Sequence, residues 1–206
     1  MQEKSKIRSN KDRTEATCAA LLTAARSLFA ERGYAETSTP EIVRAAGVTR
    51  GALYHHFEDK TAVFRAVITE EYRAVAEEIT RAAGSAPGSA LDALRKGSRG
   101  FLAAMSDKGR VRIMLRDGPA VLGRAELDEI DQRTSADTLR LGLAEAMDAG
   151  EIRKLPLKAL TKQMSALFDR SALAVSEGDD PVEHLEVLDA ILLSLRSARH
   201  LQADRS

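Results

Sequence analysis

Residues 37–60 constrain the fold most, because they predict two short helices joined by a glycine turn. Ser38 fits the N-cap of the first helix, and Glu41, three residues later, completes a capping box. Gly47 supplies the positive φ that ends this helix, and Thr49 then caps the second one. The segment therefore predicts a helix-turn-helix.

The second of these helices has the layout that a reader of the DNA major groove needs. Leu53 and Phe57, spaced i and i+4, anchor it to the core. The residues left facing outward or toward the helix ends are Arg50, Gly51, Ala52, Tyr54, His55 and His56. An arginine at this position can donate two hydrogen bonds to guanine O6 and N7. The pattern indicates sequence-specific DNA binding.

Several residues around this segment form a wider pattern. They are Gly33-Tyr34, Thr37-Ser38, Ala45-Ala46-Gly47-Val48-Thr49, Leu53-Tyr54-His55-His56-Phe57 and Lys60. At these offsets they resemble the N-terminal DNA-binding domain of the TetR family of bacterial transcriptional regulators. The resemblance covers residues 13–70, and it implies that a divergent, helical ligand-binding domain follows.

The resemblance also implies a role for each residue at the DNA end. Thr39, Tyr54, His56 and Lys60 match positions that contact phosphates, and His55 matches one that reaches base edges. The small residues at 51 and 52 let the backbone approach the groove closely. The predicted DNA-binding residues are Ser38, Thr39, Thr49, Arg50, Gly51, Ala52, Tyr54, His55, His56 and Lys60. Two alternatives stay open: Tyr54 packs the recognition helix against the first helix, and Arg50 is a solvated surface charge.

Composition and periodicity predict an all-α protein. The 206 residues contain 4% aromatic residues and no Trp, whereas Ala, Leu, Glu and Arg are abundant. Apolar residues at helical spacing predict a first helix over residues 12–32 and a long fourth helix that Asp59 caps and that ends near Gly84. The predicted domains are residues 1–57, an N-terminal arm and three-helix helix-turn-helix domain; residues 58–83, a long connecting helix; and residues 84–206, a helical ligand-binding and dimerisation domain.

Beyond a linker at residues 84–89, the sequence predicts five more helices. They cover residues 90–105, 108–116, 124–149, 157–177 and 181–200. Asp117-Gly118-Pro119 is predicted to interrupt the helical pattern.

The last two predicted helices each carry an apolar stripe that suits a self-complementary interface. Such helices form an antiparallel pair whose remaining apolar face can meet its own copy across a two-fold axis. The resemblance implies the same four-helix homodimer interface. The predicted interface residues are Leu157, Leu160, Leu167, Leu185, Leu188, Leu192 and Leu195. The alternative is a pair that packs only within its own monomer.

The resemblance implies a small-molecule effector, bound among the helices beyond the linker. The predicted pocket residues are Met105, Met114, Leu115, Arg116, Arg133, Thr134, Asp137, Leu141, Met164 and Phe168, with Arg112 and Asp169 as further polar candidates. The apolar members of this set fit an ordinary core equally well. The low aromatic content disfavours a large planar cation, which would require an aromatic cage.

Charge and cysteine content narrow the class of protein further. The 31 basic and 31 acidic residues give no net charge. The basic residues at 4, 6, 8, 11 and 13 form an N-terminal arm that either reaches DNA or is a solvated tail. The single cysteine excludes an intrachain disulfide and fits a reducing cytoplasm. Neither a secretory signal nor a membrane span is predicted, so we expect a cytoplasmic protein that does not bind a membrane.

The motifs of metal sites and enzymes are missing from the sequence. Adjacent histidines on a helix diverge, so His55 and His56 predict no closed metal site. Cys18 lies on the apolar face of the first helix, which favours a small hydrophobic residue over a redox sensor. The chain has no phosphate-binding glycine loop, HExxH or GxSxG motif. We therefore predict no catalytic residues, no metal and no cofactor.

These features predict a homodimeric, ligand-responsive repressor that a small molecule releases from a palindromic operator in double-stranded DNA. Two alternatives retain DNA binding: the protein activates transcription, or it regulates transcription without a ligand. A third alternative is a helical dimeric adaptor that does not bind DNA.

Overall fold

The computed structural model describes residues 3–84 and 88–197. Its elements are α1 (Glu3–Arg32), α2 (Thr39–Ala46), α3 (Arg50–His56), α4 (Lys60–Ala83), α5 (Ala90–Ala104), α6 (Lys108–Val111), the π-helical turn (Arg112–Asp117), α7 (Gly118–Val121), α8 (Gly123–Gln132), α9 (Ser135–Asp148), α10 (Leu157–Glu177) and α11 (Pro181–Ser194). The predicted all-α fold is confirmed. Residues 85–87 of the predicted linker and 198–200 of the predicted last helix lie outside the described ranges.

The first helix is longer than predicted, because it begins at Glu3 rather than at residue 12. No glycine or proline interrupts residues 3–12, and the Lys, Arg and Glu residues there are good helix formers. The side chains of residues 1–10, which include most of the predicted basic arm, lie outside the described part of the structure. Further along α1, Leu21, Ala25 and Phe29 are fully buried.

Local capping fixes the ends of the next three helices as the sequence predicts. The Glu41 carboxylate accepts hydrogen bonds from the Ser38 amide and hydroxyl. Gly47 has a φ of 66°, a left-handed conformation that costs glycine little. The Thr49 hydroxyl accepts from the Ala52 amide, and the Asp59 carboxylate accepts from the Ala62 amide at the start of α4.

Residues 108–149 differ from the prediction in two places. The chain stays helical through Asp117-Gly118-Pro119, because Pro119 lies in the first turn of α7, where a backbone donor has no helical partner. The predicted single helix over 124–149 is instead interrupted at Thr134, between α8 and α9. Its hydroxyl donates to the Ile130 carbonyl, a local bond that competes with helix continuation.

The α4 helix packs along α5 with little space between them. A Cβ atom on Gly100 would lie 2.6 Å from the Ala82 Cβ and 2.8 Å from the Glu78 carbonyl oxygen. Only glycine permits this approach. The helix predicted to connect the two domains is therefore also packed into the second one.

The last two helices do not present the predicted leucine stripe to solvent. Leu188, Leu192 and Leu195 are 1%, 0% and 8% exposed and belong to the core of their own chain. Asp189 holds α11 against α5 through ion pairs with Arg95 and Arg99. These three leucines are thus corrected from interface to core residues. Among the other predicted interface residues, those at 157, 160 and 185 are half-buried against the core, and Leu167 is 40% exposed.

Candidate nucleic-acid interface and internal cavity

The helix-turn-helix is anchored from behind, so its outer surface has a fixed orientation. Ile42 of α2 and Leu53 of α3 are fully buried. The aromatic ring of Tyr34 packs on Phe29 and Phe64, which join the turn after α1 to α4. The first helix contacts both short helices, and the buried residues fix the orientation of the outer face of α3 against it.

The structure brings Thr39, Arg50 and Tyr54 together at the exposed side of this unit. The Arg50 guanidinium lies 5.5 Å from the centre of the Tyr54 ring. Hydrogen bonding, first with Thr39 and then with Arg50, lowers the pKa of the Tyr54 phenol. The start of α2 and the length of α3 therefore form one polar surface, which can bond both to phosphates and to base edges.

The remaining predicted residues on α3 are also accessible. Gly51 and His55 are exposed, while Ala52 and His56 are half-buried. A Cβ atom on Gly51 would meet only the Thr49 hydroxyl, at 3.9 Å. The fold of the free protein thus leaves open space at this glycine, which suits close approach of another molecule.

Three of the predicted DNA-binding residues have bonds within the protein. The Ser38 hydroxyl donates to the Glu41 carboxylate at the start of α2, and the Thr49 hydroxyl accepts from the Ala52 amide at the start of α3. The Lys60 ammonium donates to the carbonyls of Tyr34 and Thr37, at 2.9 Å each, and lies 4.0 Å from the centre of the Tyr34 ring. In the free protein Lys60 therefore positions the turn that precedes α2; two of its three donors are used, and its phosphate contact stays a prediction.

An ion cluster around the buried Glu71 carboxylate joins α1, α4 and α6. The Glu71 carboxylate accepts from Arg26 Nε and Arg110 Nε at 2.6 Å each. Arg26 also bonds to Asp107, and Arg110 donates to the Ala104 carbonyl. The sequence gives no sign of this cluster, because Glu71 lies on α4 among ordinary exposed charges. The cluster fixes the end of α1 that precedes the helix-turn-helix to the second part of the chain.

A second set of contacts joins the end of α1 to the π-helical turn. Arg112 donates to the Glu31 carbonyl at 2.6 Å. The Tyr34 amide donates to the Asp117 carboxylate at 2.8 Å. Arg112, which sequence reasoning offered as a pocket residue, therefore holds the DNA-binding unit in place instead.

The helices beyond the DNA-binding unit border a partly open cavity of about 400 Å³. It is lined by Tyr72, Ile79, Thr80, Ala83, Gly84, Ala93, Leu94, Gly97, Ser98, Phe101, Met105, Met114, Asp131, Thr138, Leu139, Leu141, Gly142, Glu145, Ser165, Phe168, Asp169 and Leu192. Its volume lies within the range typical of small-molecule sites, roughly 300–1,000 Å³.

The cavity contains part of the predicted pocket. Met105, Met114, Leu141 and Phe168 line it, as does Asp169. The predicted residues outside it are Leu115, Arg116, Arg133, Thr134, Asp137 and Met164. Sequence reasoning missed the lining residues of α4, such as Tyr72, because their helical spacing resembles that of a plain core.

The six residues outside the cavity have other partners. Met164 is 2% exposed within the core, and Leu115 packs against that core. Arg116 pairs with Glu177 at the surface. The others lie at the interruption between α8 and α9, where Arg133, Thr134 and Asp137 bond to neighbouring residues. The predicted continuous helix gave these three residues the wrong orientation.

Two acidic side chains and a phenol meet in this cavity. Burial, followed by the charge of Asp131, raises the pKa of Asp169 to about 7. Burial raises the pKa of Tyr72 as well, followed by the charges of Asp131 and Asp169. Across the described residues, no group of three or more His, Cys, Asp or Glu side chains is placed to hold a metal ion. Within the same ranges, no helix has the length and apolar character to cross a membrane.

Two family models match this chain. Residues 21–67 match bacterial regulatory proteins of the tetR family. Residues 91–197 match the tetracyclin repressor-like C-terminal domain. The second match alone covers more than half of the chain, which therefore belongs to the TetR family of DNA-binding transcriptional regulators.

Relatives that cover most of the chain carry similar descriptions. The HTH-type transcriptional repressor AcnR from Corynebacterium efficiens is 27% identical over 183 residues, 85% of this chain and 90% of AcnR. The HTH-type transcriptional repressor Rv1474c from Mycobacterium tuberculosis is 27% identical over 183 residues, 85% of this chain and 91% of that protein. The crystal structure of a TetR-family transcriptional regulator from Pectobacterium atrosepticum has a TM-score of 0.69 and 31% identity, and it covers 88% of this chain and 92% of that one.

Proposed function

We propose that the protein is a homodimeric, cytoplasmic repressor that leaves a palindromic operator when a small molecule enters the cavity. The helix-turn-helix and the family membership support DNA binding. The names of AcnR and Rv1474c support repression in particular.

One observation carries the ligand response: the cavity and the DNA-binding unit share structural elements. Tyr72 and Ile79 line the cavity from α4, whose first turn follows the helix-turn-helix. Met114 lines it from the π-helical turn, whose two ends bond to the end of α1 and to Tyr34. A molecule that displaces α4 or Met114 therefore changes the setting of α3.

Release then follows from linkage between the two sites. A dimer binds a palindrome tightly only when its two recognition helices match the spacing of the half-sites. A ligand that prefers a different setting of α4 shifts the population away from the DNA-binding form. By reciprocity, operator DNA weakens binding of that ligand by the same factor.

At the operator, we assign direct base contacts to Arg50 and His55, at the exposed face of α3. Thr39, Tyr54 and His56 contact phosphates, and the small side chain of Ala52 meets the floor of the groove. Arg50 is the residue that carries specificity, since its guanidinium can bond to guanine O6 and N7 together.

We assign the dimer interface to the outer faces of α10 and α11. Leu167 and Val187 are 40% and 59% exposed. Ala166, next to Leu167, and Ala190, three residues after Val187, are exposed too. A second copy of the chain would cover these apolar side chains. This assignment replaces the predicted one at Leu188 and Leu192.

Transcription in vitro tests the proposal directly. The template carries a promoter overlapped by a sequence that the purified protein selects from random DNA. Added wild-type protein should lower transcript yield, and Arg50→Ala should restore it at the same protein concentration. A higher yield with the wild type would favour an activator, and selection of no sequence would favour an adaptor.

A further inference from the structure

We propose that the effector is an organic cation, with an ammonium group bound between Asp169 and the Tyr72 hydroxyl and an apolar body that fills the rest of the cavity. This inference rests on the proposed function of the cavity as the effector site. It adds the chemical class of the effector.

The charge of the cavity wall is the first argument. Asp131, Glu145 and Asp169 line the cavity, whereas no lysine, arginine or histidine is among the described residues that line it. Arg124, which lowers the pKa of Asp169 less than burial raises it, is exposed and does not line the cavity. An anionic ligand would meet acidic groups of its own sign, so the wall favours a cation.

The second argument is that two polar groups in the wall lack a partner. Tyr72 is 9% exposed, and its hydroxyl has no hydrogen-bond partner among the described residues. Asp169 likewise has no hydrogen bond or ion pair within them. Asp169 is half-buried, and the oxygen atoms of both groups keep some accessible surface, so a molecule in the cavity can reach them. A ligand donor at this point would satisfy both groups together.

Tyr72 and Asp169 both line the cavity, from two different helices. Tyr72 lies on α4 and Asp169 on α10, yet Asp169 is one of the charges that raise the pKa of Tyr72. Asp131, from α8, acts on both. An ammonium has three N–H donors, enough to serve both the carboxylate and the phenol oxygen, and we place it between them.

The remaining lining residues of the cavity determine the chemistry of the uncharged part of the ligand. Apolar side chains dominate it, among them Leu94, Phe101, Met105, Met114 and Phe168. The rings of Phe101 and Phe168 are 5.4 Å apart and tilted by 60°, so they pack on each other rather than forming an aromatic cage. Recognition of the charge therefore falls to the carboxylates, and the apolar part of the ligand supplies contact area.

Three probes of the same shape and different charge test this inference. They are 1-naphthylmethylamine, which is protonated at pH 7.5, 1-naphthalenemethanol, which is neutral, and 1-naphthoic acid, which is anionic. Affinities are measured by calorimetry on the full-length protein. We expect the amine to bind about tenfold or more tightly than the alcohol, as one charged hydrogen bond can provide, and the acid to bind weakest.

Two variants and one control locate the site. Asp169→Asn should reduce amine affinity about tenfold and leave alcohol affinity nearly unchanged, because only the charge is removed. Tyr72→Phe should reduce amine affinity several-fold. Asp137→Asn removes a carboxylate outside the cavity whose side chain is 43% exposed, so it should change neither affinity.

The results separate this inference from the proposed function. Equal affinities for the three probes, a preference for the acid, or no binding of the amine would overturn the cationic effector. Amine binding that depends on Asp169 but leaves operator affinity unchanged would uphold the charge preference. That second result would instead refute the proposed role of the cavity in DNA release.

Discussion

Glu71→Gln should destabilise the protein far more than the same change at its neighbour. The Glu71 side chain is 6% exposed and lies between the guanidinium groups of Arg26 and Arg110. The variant keeps the shape and one acceptor oxygen. It removes the negative charge and replaces one carboxylate oxygen by an NH₂ group. That NH₂ donor then faces the N–H donors of one arginine, and the two cannot bond to each other.

The structure sets the size of this effect. Removing one partner of a buried ion pair costs about 3–5 kcal/mol. The Arg26 side chain is 36% exposed and retains Asp107 as a partner, so part of its charge stays compensated. We therefore expect a loss of about 2–3 kcal/mol in the free energy of unfolding. For a chain of this size, that loss lowers Tm by about 5–10 °C.

Urea denaturation at a single protomer concentration measures the loss, since the stability of a dimer depends on concentration. Glu70→Gln is the matched control, because it makes the same substitution one residue earlier on α4. Glu70 pairs with Arg73, and both side chains are more than half exposed. Its loss should be at most about 0.5 kcal/mol.

The reasoning is refuted if both variants lose the same free energy. Such a result would mean that the two arginines find other partners or water when the carboxylate is removed. The contacts between α1 and α6 would then contribute no more to stability than an ordinary surface pair.

Three further predictions concern the DNA surface, the cavity and the interface. Gly51→Ala should raise the free energy of unfolding by about 0.5–1 kcal/mol, yet weaken operator binding measured by fluorescence anisotropy. Unchanged operator binding would exclude close approach of DNA to the backbone at Gly51. The pKa of Asp169 is near 3.8 in the unfolded chain and about 7 in the folded protein. Between these pH values the carboxyl is protonated only in the folded protein, so the free energy of unfolding falls as pH rises through that window. Between pH 5 and 7.5, the wild type should therefore lose roughly 2 kcal/mol more than Asp169→Asn in the free energy of unfolding, measured by urea denaturation. If the free energies of the two proteins change in parallel with pH, the raised pKa of Asp169 is wrong. Leu167→Glu with Val187→Glu should yield folded monomers in sedimentation, unlike the exposed control pair Ala103→Glu with Ala125→Glu; a dimeric double variant would move the interface elsewhere.

Local signals explain why the DNA end was predictable. The caps at Ser38, Thr49 and Asp59 and the turn at Gly47 act over three or four residues. Such signals are written in adjacent sequence positions. Lys60 shows the limit of this reasoning, because its partners lie more than 20 residues earlier in the chain.

The position and lining of the cavity depend on packing between helices far apart in the chain, which cannot be read from a single sequence. Helical spacing marked Leu188 and Leu192 as one apolar stripe, but it could not show whether α5 or a second copy covers it. An interruption at Thr134 changed the face of every residue after it. The spacing of Tyr72 gave no sign that it borders empty space, because a core residue has the same spacing.

Selection of DNA from a random-sequence pool tests the central claim most directly, since the claim is that α3 reads a defined sequence as part of a dimer. The wild-type protein should enrich a two-fold symmetric motif. Arg50→Ala, with its exposed side chain, should lose preference at one base pair in each half-site, at a cost of about 1–3 kcal/mol on the operator. Enrichment of no motif by the wild type, or of the same motif with equal strength by the variant, would contradict the account.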